Sequence, residues 1–186
     1  MLLLTKSVEG TAVMSLQTGG KLGEAGVPVI DPRNLQIAAY HVSGPRIHEE
    51  SVLHTSDIRE VGPLGIIVND AHDIMPIDDG LVRLDEVRAM NFELKGKTVV
   101  DESGSRLGRV SDYAVDADDF KVMKLHVAQS MMKNLSNSAL IIDRSQIVDI
   151  TDTTITVRSG AVRQSAGLAQ VLNPFRRATT SPLPQE

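Results

Sequence analysis

Apolar residues in this chain recur two positions apart, in short runs broken by glycine, asparagine, aspartate or proline. That is the period of half-buried strands, not of helices. In residues 121–127 (KVMKLHV), Met123, Leu125 and Val127 share one face and Lys124 and His126 the other, so the two polar side chains are expected to meet water or a partner. Residues 98–101 (TVVD), the turn 102–105 (ESGS) and residues 106–110 (RLGRV) carry a hairpin signature, and a similar turn stands at residues 17–20. Residues 31–34 and 116–119 are Asp/Asn turn clusters. Helical spacing is found twice. Leu81, Leu84 and Val87 predict a short helix over residues 81–90, with Asp78 or Asp79 as N-cap, packed between two β units. Val162, Ala166 and Ala169 predict another over residues 161–172, stopped by Pro174.

The chain also repeats itself. Residues 10–23 (GTAVMSLQTGGKLG) read like residues 96–108 (GKTVVDESGSRLG) after a one-residue turn insertion, and residues 24–42 then align with 109–127 at a constant offset of 85. The offset rises to 89 after residues 131–138, where Ile66, Ile67 and Val68 meet Ile155, Thr156 and Val157. Two copies of one module of strands are implied. Open edges of short antiparallel strands invite aggregation, so each copy is expected to close into a small barrel.

Composition narrows the chemistry. Cysteine is absent, which removes disulfides, thiolate metal sites and cysteine nucleophiles. Aromatics are 3% of residues and tryptophan is absent, too few for base stacking on single-stranded nucleic acid. Residues 1–90 hold 7 Lys+Arg against 13 Asp+Glu, residues 91–157 hold 8 against 10, and residues 158–186 hold 4 against 1. An acidic body does not fit DNA. The basic tail carries Arg163, Arg176 and Arg177, and its end, residues 179–186, is rich in Pro, Ser and Thr and expected to be disordered. No apolar run approaches the roughly 18 residues of a membrane span, and the opening Leu2, Leu3 and Leu4 give way to Thr5 and Lys6. Neither a transmembrane segment nor a signal peptide is expected, which makes the cytoplasm the default location.

Catalytic patterns are weak. Gly96-Lys97-Thr98 resembles the end of a phosphate-binding loop, but Asn91 stands where its first glycine belongs and a strand follows it, so it reads as a strand start. His48 and His54 lack zinc-helix spacing, and the His72, Asp73, Asp78, Asp79 loop lacks calcium-loop spacing and reads as solvated. His41 and His126 occupy equivalent repeat positions, which duplication alone produces. No catalytic residue, cofactor or metal is assigned.

The order Gly96, Val99, Leu107-Gly108-Arg109-Val110, Val115-Asp116, residues 122–127 and residues 147–157 resembles the PRC-barrel family, known from the cytoplasmic part of the photosynthetic reaction-centre H subunit and the carboxy-terminal domain of the ribosome maturation factor RimM. The first copy is similar but looser, with Ala25 and Pro28 at strand positions. The resemblance implies a mainly β fold of two small antiparallel barrels in tandem, with short connecting and C-terminal helices. The expected divisions are residues 1–72 and 93–158 for the modules, 73–92 for a linker with a helix, and 159–186 for a helix and basic tail. It implies protein contact and no catalysis. A non-enzymatic adaptor is therefore expected, with Lys124, His126, Arg163, Arg176 and Arg177 as candidate contacts. A ribosome-assembly role by analogy with RimM is the alternative, and a metal or small-molecule enzyme a remote third. A homo-oligomer is compatible with either leading reading.

Overall fold

A computed structural model of the chain describes residues 1–47, 50–77, 82–129, 140–160 and 163–164. The fold is mainly β. Strand β1 (Leu2–Leu4) and helix α1 (Thr5–Val8) are followed by β2 (Ala12–Ser15), β3 (Lys21–Asp31), β4 (Gln36–Ser43), β5 (Ser51–His54), β6 (Glu60–Gly62), β7 (Gly65–Val68) and β8 (Ile74–Pro76). After helix α2 (Val82–Ala89) come β9 (Thr98–Asp101), β10 (Arg106–Asp116), β11 (Val122–Ala128), β12 (Leu140–Asp143), β13 (Ile147–Ile150), β14 (Thr154–Val157) and β15 (Arg163–Gln164). The hairpin expected around residues 98–110 is present. The Asp101 carboxylate organises its turn by accepting from Ser103 N, Ser103 Oγ and Ser105 N, and these bonds hold its pKa below the usual carboxylate value.

Two sheets result. The amino-terminal sheet runs β6-β7-β2-β3-β4-β5-β8 and the carboxy-terminal sheet β13-β14-β9-β10-β11-β12-β15, so adding seven to each label of the first yields the second. Each holds one parallel pair, β2 with β7 and β9 with β14. Closure was expected, yet among the described residues both hydrogen-bonded paths are open. The edges are blunted instead. β6 and β8 have three residues each, Pro76 removes a donor from β8, β15 has two residues, and β13 carries a register shift between Ile147 and Asp149.

The first strand does not stay in the first sheet. β1 pairs antiparallel with β10, setting Leu2, Leu3 and Leu4 opposite Asp116, Val115 and Ala114. Ala117 N then donates to Met1 O at 2.7 Å, and Thr5 Oγ1 to Tyr113 O at 3.2 Å. The residues 85 positions earlier explain the choice. Pro32 stands where Ala117 donates, so the matching edge of β3 lacks that N–H group. Hydrogen bonding thus crosses the expected boundary at residue 72, and β8, beyond it, also belongs to the amino-terminal sheet.

The sheets share one core. Leu3, Ile37, Tyr40, Tyr113, Leu125 and Ile155 are all buried in a single cluster. The β3–β4 and β10–β11 hairpins meet there reciprocally: Ile37 N donates to Phe120 O (3.0 Å) and Val122 N to Leu35 O (2.8 Å). Leu35 and Phe120, 85 apart, both adopt the left-handed backbone, at φ 50° and 56°. Such a conformation costs a residue with a Cβ roughly 1–2 kcal/mol. Burial of both side chains, and an edge-to-face contact between Phe120 and Tyr40 at 6.3 Å, hold it in place. Arg144 completes the junction, donating through Nη2 to Asn34 O (2.6 Å) and through Nη1 to Leu35 O (3.4 Å) and Val122 O (3.3 Å). Arg144→Ala is expected to lower stability by about 2 kcal/mol, because carbonyls of both hairpins lose a charged donor. Urea unfolding tests this, and an unchanged midpoint would show that the arginine contributes nothing.

Helix α2 occupies most of the predicted residues 81–90, with Leu84 and Val87 buried; Leu81 and the nominated caps Asp78 and Asp79 lie outside the described residues. It does not pack between the two units. Leu84 and Val87 cover Val29, Ala39, Val52 and Ile77 on the outer face of the amino-terminal sheet, the face turned away from the shared core. That face is apolar enough to need cover, whereas the gap between the sheets is already filled by their own side chains. The helix expected over residues 161–172 is also corrected in part. Residues 163–164 form β15, Leu140 pairing with Gln164 and Ile141 with Arg163, and the remainder lies outside the described residues.

Candidate functional site

The nominated contact residues are distributed by strand register. Antiparallel pairing sets Ala114, Lys124 and Asp143 in one row and Asp112, His126, Ile141 and Arg163 in the next. Lys124 and His126 therefore share one face of β11, and Arg163 stands at a register position in the row of His126. Arg176 and Arg177 lie outside the described residues. Lys124 is half-buried.

His126 departs from expectation. Alternation does turn it away from Leu125 and Val127, but it is only 4% exposed and is not a surface histidine. Across from it Asp112 is 6% exposed; its Oδ1 accepts from Tyr113 N at 2.9 Å, while Oδ2 is buried without a hydrogen-bond partner. Burial holds the His126 imidazole below its ordinary pKa, Asp112 opposes that shift, and Lys6 and Lys124 reinforce it. Asp112 was not nominated from the sequence. Its signal was present: by the offset of 85 it replaces Val27, an acid inside an eleven-residue strand.

The equivalent histidine has other surroundings. His41 is half-buried and lines a groove of about 510 Å³ with Val27, Val29, Asp85, Arg88 and Glu93. Burial again lowers its pKa, helped by Arg88 and opposed by Glu50. The two positions thus differ in what surrounds them.

Residues 96–98 form no phosphate loop. Thr98 opens β9, and Lys97 turns inward to donate to Asp152 O, with its ammonium 4.4 Å from the centre of the Phe92 ring. Burial lowers the Lys97 pKa, and Asp152 and Glu93 work against it. In the His72 loop the acids cap a 3-10 turn, Asp70 accepting from His72 N and Asp73 from Asn69 N and Asp70 N. Among the described residues, no three His, Asp or Glu side chains gather in a form able to hold a metal ion. No described helix is long and apolar enough to cross a membrane.

A short strand and a turn, two longer strands, a further short strand, a 3-10 turn, a closing pair and a two-residue strand make up the carboxy-terminal unit. Residues 91–164 match the family model of the PRC-barrel domain, so a PRC-barrel domain is present there. No curated protein matches the chain.

Proposed function

We propose that the chain is a non-enzymatic, cytoplasmic scaffold in which two PRC-barrel modules, copies of one duplicated unit, present a charged outer face to a protein partner. The observation that carries this reading is the strand-for-strand correspondence of the two sheets, joined through the reciprocal hydrogen bonds of Ile37 and Val122. Duplication accounts for the turn residues and core aliphatics that dominate the sequence. What remains to meet a partner is the set of basic residues in the carboxy-terminal half. Lys124, the register position of Arg163, and Arg176 and Arg177 in the basic tail favour an acidic protein surface by charge complementarity.

Affinity capture on the immobilised full chain at low and high salt tests this. One partner, lost at high salt and from a Lys124→Glu, Arg176→Glu, Arg177→Glu variant that still folds, is the expected result. Capture of ribosomal components, or capture indifferent to charge reversal, would overturn it.

A further inference from the structure

Helix α2 is the cover of the amino-terminal sheet. Leu84 and Val87 seal Val29, Ala39 and Val52 on the face turned from the shared core, and the chain arrives there from edge strand β8, which pairs with β5. The offsets of 85 and 89 carry those three sheet positions to Ala114, Lys124 and Ile141. Pairing sets Ala114 opposite Lys124, and sets Asp112 and Ile141 on either side of His126. Side chains paired across strands share a face, so all five stand on the side of the carboxy-terminal sheet turned from Leu125 and Val127. That face is shielded too: Ala114 has no exposed surface, His126 is 4% exposed and Asp112 6%. An acid and an imidazole on a sheet face lose water only beneath a cover. α2 is spent on the other sheet, and α1, beside β10, turns Val8 into the shared core.

We propose that residues 165–173 dock across β10, β11 and β12 over Asp112, Ala114, His126 and Ile141, in the place that α2 takes over the amino-terminal sheet. The chain is delivered there as α2 is, because β15 pairs with β12 as β8 pairs with β5. Leu168, Val171 and Leu172 recur at i, i+3 and i+4 ahead of Pro174, the stripe of a short helix with one apolar side. At helical rise the segment spans about 14 Å, enough to cross three strands roughly 4.8 Å apart. The two covers differ in tethering. α2 runs on into β9 and is held at both ends, whereas this cover is joined to the sheets only through β15. Seated there, it brings Arg176 and Arg177, just beyond Pro174, to the margin of the face that carries Lys124. Placement of the cover rests on the reading of the two sheets as copies of one unit, and not on the identity of a partner.

Paramagnetic broadening in NMR spectra of the full-length chain tests this. The sequence has no cysteine, so Gln170→Cys, on the side of the segment away from Leu168 and Leu172, accepts a single nitroxide. The amide signals of Lys124 and Ile141 are expected to broaden, and those of Ala39 and Val52, beneath α2, to stay sharp. Adding Leu168→Asp and Leu172→Asp to the labelled chain should abolish the broadening. It should also raise the titration midpoint of His126 towards the ordinary value near 6.5, because burial is what holds that midpoint down. Sharp signals at Lys124 and Ile141, or a His126 midpoint unmoved by the two aspartates, would overturn the proposal. So would broadening that appears only when a spin-labelled chain is mixed with a separate isotope-labelled one, since a second copy would then be the occupant. Should the aspartate variant fail to fold, the pattern in the Gln170→Cys chain decides alone. No partner enters this experiment, so its failure is distinct from failure of the capture experiment.

Discussion

Gly108→Val is expected to be among the most damaging single changes in this protein, lowering stability by about 3 kcal/mol or more. A Cβ at this position would lie 2.3 Å from Ala128 O, 2.7 Å from Val127 Cγ1 and 3.0 Å from Ala128 C. Two of those atoms are backbone of β11, so they can yield only by disturbing the β10–β11 ladder. Space is the reason here, because Gly108 has no positive φ. The matching residue, Gly23, is confined in the same way, with Ser43 O 2.6 Å from its would-be Cβ. Gly104→Ala separates the two causes. Gly104 has φ +81° and nothing within 4 Å, so alanine there should cost about 1 kcal/mol through conformation alone. Urea unfolding of Gly108→Ala, Gly108→Val and Gly104→Ala compares them, and a Gly108 series no worse than Gly104→Ala would refute the close approach of β11.

Tyr40→Ala should cost about 4 kcal/mol, in the range of large aromatic truncations in cores. Tyr40 has no exposed surface, lies in the core shared by both sheets and meets Phe120 edge to face. Removing it opens a cavity where the two hairpins join, so both sheets should lose stability together. Its hydroxyl adds a sharper test. Tyr40 Oη is buried without a partner, and burial drives its pKa far up, which leaves an unpaired polar atom in an apolar site. Tyr40→Phe should therefore be neutral or stabilising. A loss of more than about 1 kcal/mol in Tyr40→Phe would show that the hydroxyl has a partner after all.

The two hairpins show how far local pattern reaches. Asp101 with Ser103 and Ser105 makes a turn that follows from short polar side chains bonding adjacent backbone, and such bonds are legible in a few letters of sequence. The alternation through β11 was legible over part of its length: Leu125 and Val127 are in the core, and Lys124 and His126 are turned from it, but Val122 and not Met123 is the next core residue, where the β10–β11 register shifts. The burial of His126 was not legible. Period two says which residues share a face; it does not say whether that face is covered or which acid lies one strand away. Asp112 escaped notice for the same reason, since its importance comes from standing opposite His126 and not from its neighbours in the chain.

Sequence alone was sufficient for the short strands, their turns, the inward-facing aliphatics and the amphipathic stripe of α2, because each depends on bonds and periodicities spanning only a few residues. Tertiary structure decided where those pieces went. β1 joined β10, where Ala117 offers an N–H and Pro32 at the matching position cannot; α2 settled over the apolar Val29, Ala39 and Val52 and not between the sheets; and a histidine expected at the surface became buried opposite an acid. In each case the outcome depended on which group was free to bond, or which face lacked cover, after distant parts of the chain had met.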